Sequence, residues 1–167
     1  MTCMPAASTP AIAALTRGGV DHLVHTYDHD SRARSFGTEA ADIMSERLGV
    51  ERDQIFKTLV VKKSEGGLAV AVVPVTATLS LKAAASALGT RKVTMAEQSE
   101  AERSSGYVFG GISPLGQKRA VATVVDESAL RWDRILCSGG RRGLEIELDP
   151  RDLVRLTGAI TAPVATE

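Results

Sequence analysis

The residues from Val108 to Arg119 read VFGGISPLGQKR, and little in that run is a conventional reactive side chain. Gly110 and Gly111 follow a short apolar stretch, Ser113 and Pro114 turn the chain, and Gly116 frees it again before Lys118 and Arg119. A second stretch, SGGRRG from Ser138 to Gly143, repeats the form of a polar residue, two glycines and then charge. Glycine pairs beside strands make bulges and tight turns. They also let a ligand approach the backbone and leave N–H groups to face an anion or a developing oxyanion. Two such loops in one small chain favour a shared ligand site. Neither is a phosphate fingerprint: GGISPLGQK lacks the Gly-Lys-Ser/Thr ending of a P-loop, and no G-x-G-x-x-G opens a helix.

The remaining candidates are few. Lys57 stands in the apolar run IFKTLVV beside Thr58, where it either points to solvent or lines a cleft. His22, His25 and His29 cluster with Asp21, Asp28 and Asp30, but their spacing matches no common zinc arrangement, so no metal is expected there. Ser113 is not in a G-x-S-x-G elbow and no partner histidine can be nominated, so a hydrolase triad has no support. Cys3 and Cys137 are the chain's cysteines. They support neither a disulfide framework nor a cysteine zinc site, and Cys137, in an apolar strand, reads as inert core.

These residues need elements to position them. At 167 residues the chain has the length of one domain, 1–167, with residues 1–8 expected to fray. A hydrophobic share of 44% with only 4% aromatics implies an aliphatic core, and zero net charge argues against a protein that covers many phosphates at once. No membrane span or signal peptide is apparent, and a reducing, cytoplasmic setting fits.

Thr9, Pro10 and Gly18 punctuate a first helix, and VDHLVHTY reads as a strand. A second helix is expected between a Thr38 cap and Gly49. QIFKTLVVK and GGLAVAVVPV form strands around the Gly66-Gly67 turn, the second apolar enough to lie at the centre of a sheet. Ser80 to Gly89 bounds a third helix, and a capping box of Thr94 with Glu97 introduces a fourth, ending near Gly106. YVFGG, AVATVVD, RILCSGG and GLEIEL are expected strands, and Asp149-Pro150 opens a last helix. The elements mix without strict alternation, as in an α/β (α+β) fold with a mixed sheet or barrel.

At FKTLVV, GGISPLGQK and SGGRRGLEIEL the chain resembles the YbaK/EbsC family of stand-alone aminoacyl-tRNA deacylases, relatives of the editing domain of bacterial prolyl-tRNA synthetase. GGISPLGQK and HTYDHD are most similar to the YbaK branch, whose members hydrolyse Cys-tRNA(Pro). The resemblance implies a mixed, partly closed β-barrel surrounded by helices, with a cleft between the lysine strand and the glycine loops. It also implies a set of roles, with no cofactor and no metal. Lys57 matches the family's essential lysine, which holds the 3′ end of the tRNA, and joins Gly110 and Gly111 as the catalytic set. Tyr27, Phe36, Thr58, Ile112, Ser113, Pro114, Ser138, Gly139 and Glu145 match substrate-binding positions. Glu145 stands where the YbaK pattern more often has Asp, and Arg141 where it often has Lys.

The partner so implied is the acceptor end of tRNA(Pro), gripped by a local basic set of Lys57, Lys118, Arg119, Arg141 and Arg142. Low tRNA selectivity would make a complex with prolyl-tRNA synthetase useful. An aminoacyl ester is already activated, so positioning and oxyanion stabilisation suffice, and the substrate's own thiol serves as nucleophile in the YbaK branch. The rival readings are a deacylase for Ala-tRNA(Pro) or another small aminoacyl-tRNA, and a non-catalytic module that binds tRNA ends or nucleotides.

Overall fold

The computed structural model describes residues 8–28 and 36–166. Its architecture is mixed α/β. A five-stranded sheet, in the order β5-β2-β3-β6-β9, comprises β2 (Phe56–Lys63), β3 (Leu68–Pro74), β5 (Val93–Met95), β6 (Ala122–Asp126) and β9 (Ile160–Ala162). A three-stranded antiparallel sheet, β1-β8-β7, comprises β1 (His22–Thr26), β7 (Ile135–Ser138) and β8 (Leu144–Leu148). Two short strands, β4 (Thr78–Leu79) and β10 (Ala165–Thr166), pair separately.

The expected centre of the sheet is β3. It pairs antiparallel with β2 and parallel with β6, and its residues from Ala69 to Pro74 are buried. Burial on both faces is what an unbroken apolar run demands. On one face Ala71 and Val73 pack with Ala84 and Ala85 of helix α3 (Leu81–Leu88). On the other, Val70 and Val72 meet Cys137 and Ile146 of the second sheet, Leu15 of α1 (Pro10–Arg17) and Leu153 of α5 (Pro150–Thr157). The helix α2 (Phe36–Leu48) sets Ala41 and Met44 against Ile55 and Leu136.

The helix ends follow local chemistry. Thr9 Oγ1 accepts the Ile12 amide at 3.2 Å, Ser80 Oγ that of Ala83 at 3.1 Å and Asp149 Oδ1 that of Arg151 at 2.9 Å, each satisfying an otherwise orphaned N–H. Residues 1–7, with Cys3 and the expected fraying, and residues 29–35, with His29, lie outside the described residues.

Four expectations change. The sheets do not close into a barrel: among the described residues their backbones meet at one isolated parallel bridge, Ile55 to Leu136, while their side chains pack together in the core. The helix α2 starts at Phe36, with Thr38 already inside its first turn. Thr94 belongs to β5, and Glu97 itself stands at the N-cap of α4 (Gln98–Ser105). YVFGG is a loop instead of a strand. Gly106 and Gly110 take φ of 82° and 90° there, outside extended geometry, and the Tyr107 hydroxyl turns inward to donate to the Leu115 carbonyl at 2.6 Å. The strands β9 and β10 after α5 had no counterpart in the sequence reading. Asp126, buried at the end of β6, draws that segment in by accepting the Val164 and Ala165 amides, both at 2.9 Å.

Candidate active site

The unclosed barrel leaves a wedge, and the wedge is a cleft of about 280 Å³. Its geometry follows from strand pairing. The strand β5 pairs β2 only from Val61 to Lys63, so the half of β2 from Phe56 to Leu59 has no strand on that edge. Consecutive strand residues point to opposite faces. Lys57, opposite Val73, and Thr58, opposite Val72, therefore stand on opposite faces of β2, and both border the cleft at this open edge. Ser138 at the end of β7 and Glu145 on β8, partners in the ladder, form the opposite wall with Tyr27. Phe109, Gly110 and Ile112 close one side, and Met95, Ala96 and Ala101 another.

The electrostatics are those of polar groups held in an apolar hollow. Glu145 is 6% exposed, and burial pushes its carboxyl up to about 8. Burial lowers the Lys57 ammonium. Burial first, then the nearby Glu145 charge, raises the Tyr27 phenol. Thr58 Oγ1 is shielded from solvent yet has no hydrogen-bond partner among the described residues. Such an atom costs free energy unless something else satisfies it, and a ligand in the cleft is within the geometry's reach.

The backbone donors sort themselves sharply. The Gly111 amide is spent on the Val108 carbonyl at 2.9 Å, that of Gly139 on the Leu144 carbonyl at 2.8 Å and that of Gly140 on Ser138 Oγ at 3.2 Å. The Gly110 and Ile112 amides, both at the cleft, have no acceptor among the described residues. The arrangement therefore offers two backbone N–H groups without an acceptor among the described residues, a lysine, a hydroxyl and a carboxyl around an apolar hollow, groups of the kind that steady a polarised carbonyl.

Comparison with known proteins places the chain in a family. The family model described as the aminoacyl-tRNA editing domain matches residues 37–156. EbsC of Enterococcus faecalis, a candidate Cys-tRNA(Pro)/Cys-tRNA(Cys) deacylase, is 39% identical over 128 residues, which are 77% of this chain and 78% of that protein. The chain belongs to the aminoacyl-tRNA editing family. The editing fold is seen again in a solved structure described as a candidate trans-editing enzyme for prolyl-tRNA synthetase, with TM-score 0.80 and 23% identity over 99% of this chain and 100% of that one. A solved hypothetical protein, 27% identical, gives TM-score 0.80 over 95% of this chain and 100% of its own.

Within the cleft the structure brings together Tyr27, Lys57, Thr58, Gly110, Ile112, Ser138 and Glu145. Other expected site residues stand behind the lining. Gly111 packs against the second glycine loop: a Cβ there would lie 2.6 Å from Arg141 Cα and 2.8 Å from the Arg142 nitrogen. Its small size serves contact between the two loops, where a close approach by substrate had been expected. Gly139 is buried against the side chains of Leu144 and Ile146. Ser113 is fully buried and its hydroxyl accepts the Leu115 amide at 3.2 Å, while Pro114 turns to a separate groove with Arg17 and Gln117. Phe36 opens α2, and its side chain is outside the described ones.

Of the histidines, His25 Nε2 meets Glu147 Oε1 at 2.9 Å and His22 Nδ1 the Val20 carbonyl at 2.8 Å. Cys137 is fully buried, and burial raises its thiol, so it is no nucleophile. The cleft is also lined by residues that the sequence reading passed over. Phe109 carried a local signal, its place beside Gly110 in the loop. Met95 and Ala96 carried none, because only the fold of β5 and α4 brings them to the cleft.

Proposed function

We propose that this editing-family protein is a trans-editing deacylase that removes cysteine from tRNA(Pro). The observation that carries the reading is the cleft itself, with Lys57 and the Gly110 and Ile112 amides around a small apolar hollow that ends at Glu145. The ester to be cut carries an α-ammonium on one side of its carbonyl and a ribose on the other. Glu145, the acidic residue among the described lining residues, is assigned to the ammonium, whose charge favours the carboxylate that burial alone disfavours, and Lys57 to the ribose-phosphate end. Cysteine is close enough in size to proline to enter a synthetase pocket, because such pockets separate near-isosteres by only about 1–3 kcal/mol.

The chemistry asks little of the protein. A nucleophile adds to the ester carbon, and the carbonyl π electrons move to the oxygen, where the Gly110 and Ile112 amides stabilise them. The electrons then return as the ribose oxygen leaves with a proton. With Cys137 buried and no serine–histidine pair in the described lining, the substrate thiol is assigned as nucleophile, its proton passing to the ribose oxygen. The thioester so formed is then opened by water. Gly111, Ser113, Pro114 and Gly139 support the loops from behind.

The tRNA is met at its acceptor end by Lys118, Arg119 and Arg141, all exposed. That small footprint matches zero net charge and makes prolyl-tRNA synthetase the expected partner in the cytoplasm, where the charged tRNA is made. No helix among the described residues is long and apolar enough to cross a membrane.

The test is a deacylation assay on Cys-tRNA(Pro), Ala-tRNA(Pro) and Ser-tRNA(Pro). Preferential loss of cysteine is expected. Preference for alanine would move the enzyme to another branch, and turnover of none would leave a tRNA-end-binding module.

A further inference from the structure

The loop that carries Gly110 is anchored twice, and both anchors grip the residue before it. The Phe109 amide donates to Glu102 Oε2 at 2.7 Å, from α4. The Phe109 carbonyl accepts from Arg142 Nε at 2.8 Å, from the second glycine loop. A peptide group is planar and trans, so its carbonyl and the N–H of the next residue point in opposite directions. Arg142 lies on the exposed surface. Holding the Phe109 carbonyl toward Arg142 therefore turns the Gly110 N–H the other way, to the side on which Gly110 lines the cleft.

The loop cannot secure that orientation by itself. Gly110 sits at φ 90°, a conformation open to glycine, and glycine is equally free to leave it. If the 109–110 peptide flipped, a carbonyl oxygen would face the cleft where a donor is needed. The neighbouring Gly111 amide offers no substitute, since it is bonded to Val108.

We propose that Arg142 is a positioning residue that locks the 109–110 peptide so that the Gly110 amide faces the reacting carbonyl, with Glu102 fixing the other side of Phe109. This rests on the deacylase reading above. It differs from an arginine that serves as a phosphate contact, because the bonded group is the single Nε–H and the charge is incidental. Glutamine carries its Nε2 at the same number of bonds from the backbone as arginine carries Nε. Methionine places a methyl group there, with no donor.

The test compares Arg142→Met and Arg142→Gln in the full chain, by rates at saturating Cys-tRNA(Pro) and by the Gly110 amide resonance in the free protein. Arg142→Met should lower kcat about tenfold or more, as loss of an aligned oxyanion donor does, with KM within about twofold. Its Gly110 resonance should shift and broaden. Arg142→Gln should recover most of the rate and the wild-type resonance. Equal impairment in both variants, an effect confined to KM, or an unmoved Gly110 resonance in Arg142→Met would overturn the proposal. Should wild type deacylate no charged tRNA, the functional reading fails with the catalytic half of the proposal, and the resonance still tells whether Arg142 holds the peptide.

Discussion

Lys57 and Glu145 show what burial does to ordinary side chains. Lys57 occupies a strand position opposite Val73, and desolvation lowers its pKa with no acidic partner among the described residues. A lysine kept in that state contributes to ligand binding more than to the fold. Lys57→Ala should cut deacylation about a hundredfold by releasing the tRNA end from register, with the melting temperature nearly unchanged. Steady-state rates and a thermal melt check both halves.

Glu145 makes a different prediction, about pH. Its folded pKa, about 8, lies above the ordinary carboxylate value, so the folded state holds the proton more tightly than the unfolded chain. The stability this adds is fully present below the unfolded pKa and is lost as pH rises through about 8. Wild type should therefore lose stability between about pH 5 and pH 8, at up to about 1.4 kcal/mol per pH unit from this group. Glu145→Gln, neutral throughout, should lack that component. Denaturant unfolding at several pH values separates the two slopes, and parallel slopes would refute the assignment.

The two glycine loops work as one element. Gly111 meets the backbone of Arg141 and Arg142, Arg142 holds the Phe109 carbonyl, and the Thr9 hydroxyl, which also caps α1, donates to the Gly139 carbonyl at 2.5 Å. Backbone yields less readily than a side chain, so a methyl group at Gly111 separates the loops. Gly111→Ala should cost about 1–3 kcal/mol, as overpacking typically does, and lower activity as well. For a chain of this length that is a fall of several degrees in melting temperature, about 2–4 °C per kcal/mol. Lost activity at unchanged stability would instead put Gly111 in contact with substrate.

The molecule as a whole packs two sheets together in the core and bridges them at Ile55 and Leu136, and the cleft proposed to take substrate opens beside that bridge. Its only described thiol is locked in the core shared by both sheets. If the substrate supplies the nucleophile, tRNA(Pro) charged with 2-aminobutyrate, a methyl in place of the sulfhydryl, should bind and resist hydrolysis. Cys137→Ala should remain active once its lower stability is allowed for, as should Cys3→Ala. Equal rates on the two charged tRNAs would show that water attacks directly.

Much of this was legible in the chain because it is written locally. Thr9-Pro10, Ser80 with Gly89 and Asp149-Pro150 each satisfy or end a helix with their own side chains and backbone, and the unbroken apolar run of β3 admits hardly any place but the centre of a sheet. Lys57, Thr58 and the two glycine loops stood out by composition for the same reason. The tertiary structure decided the rest, since it depends on which surfaces meet. That YVFGG became a strap is due to Tyr107 finding the Leu115 carbonyl and Phe109 finding Glu102. Gly111 became a spacer because Arg141 lies against it, and Glu145 became a poorly ionised carboxyl because two sheets enclose it. Turn chemistry acts within a few residues and is readable from them, whereas burial and contacts between distant loops exist only once the whole chain has folded.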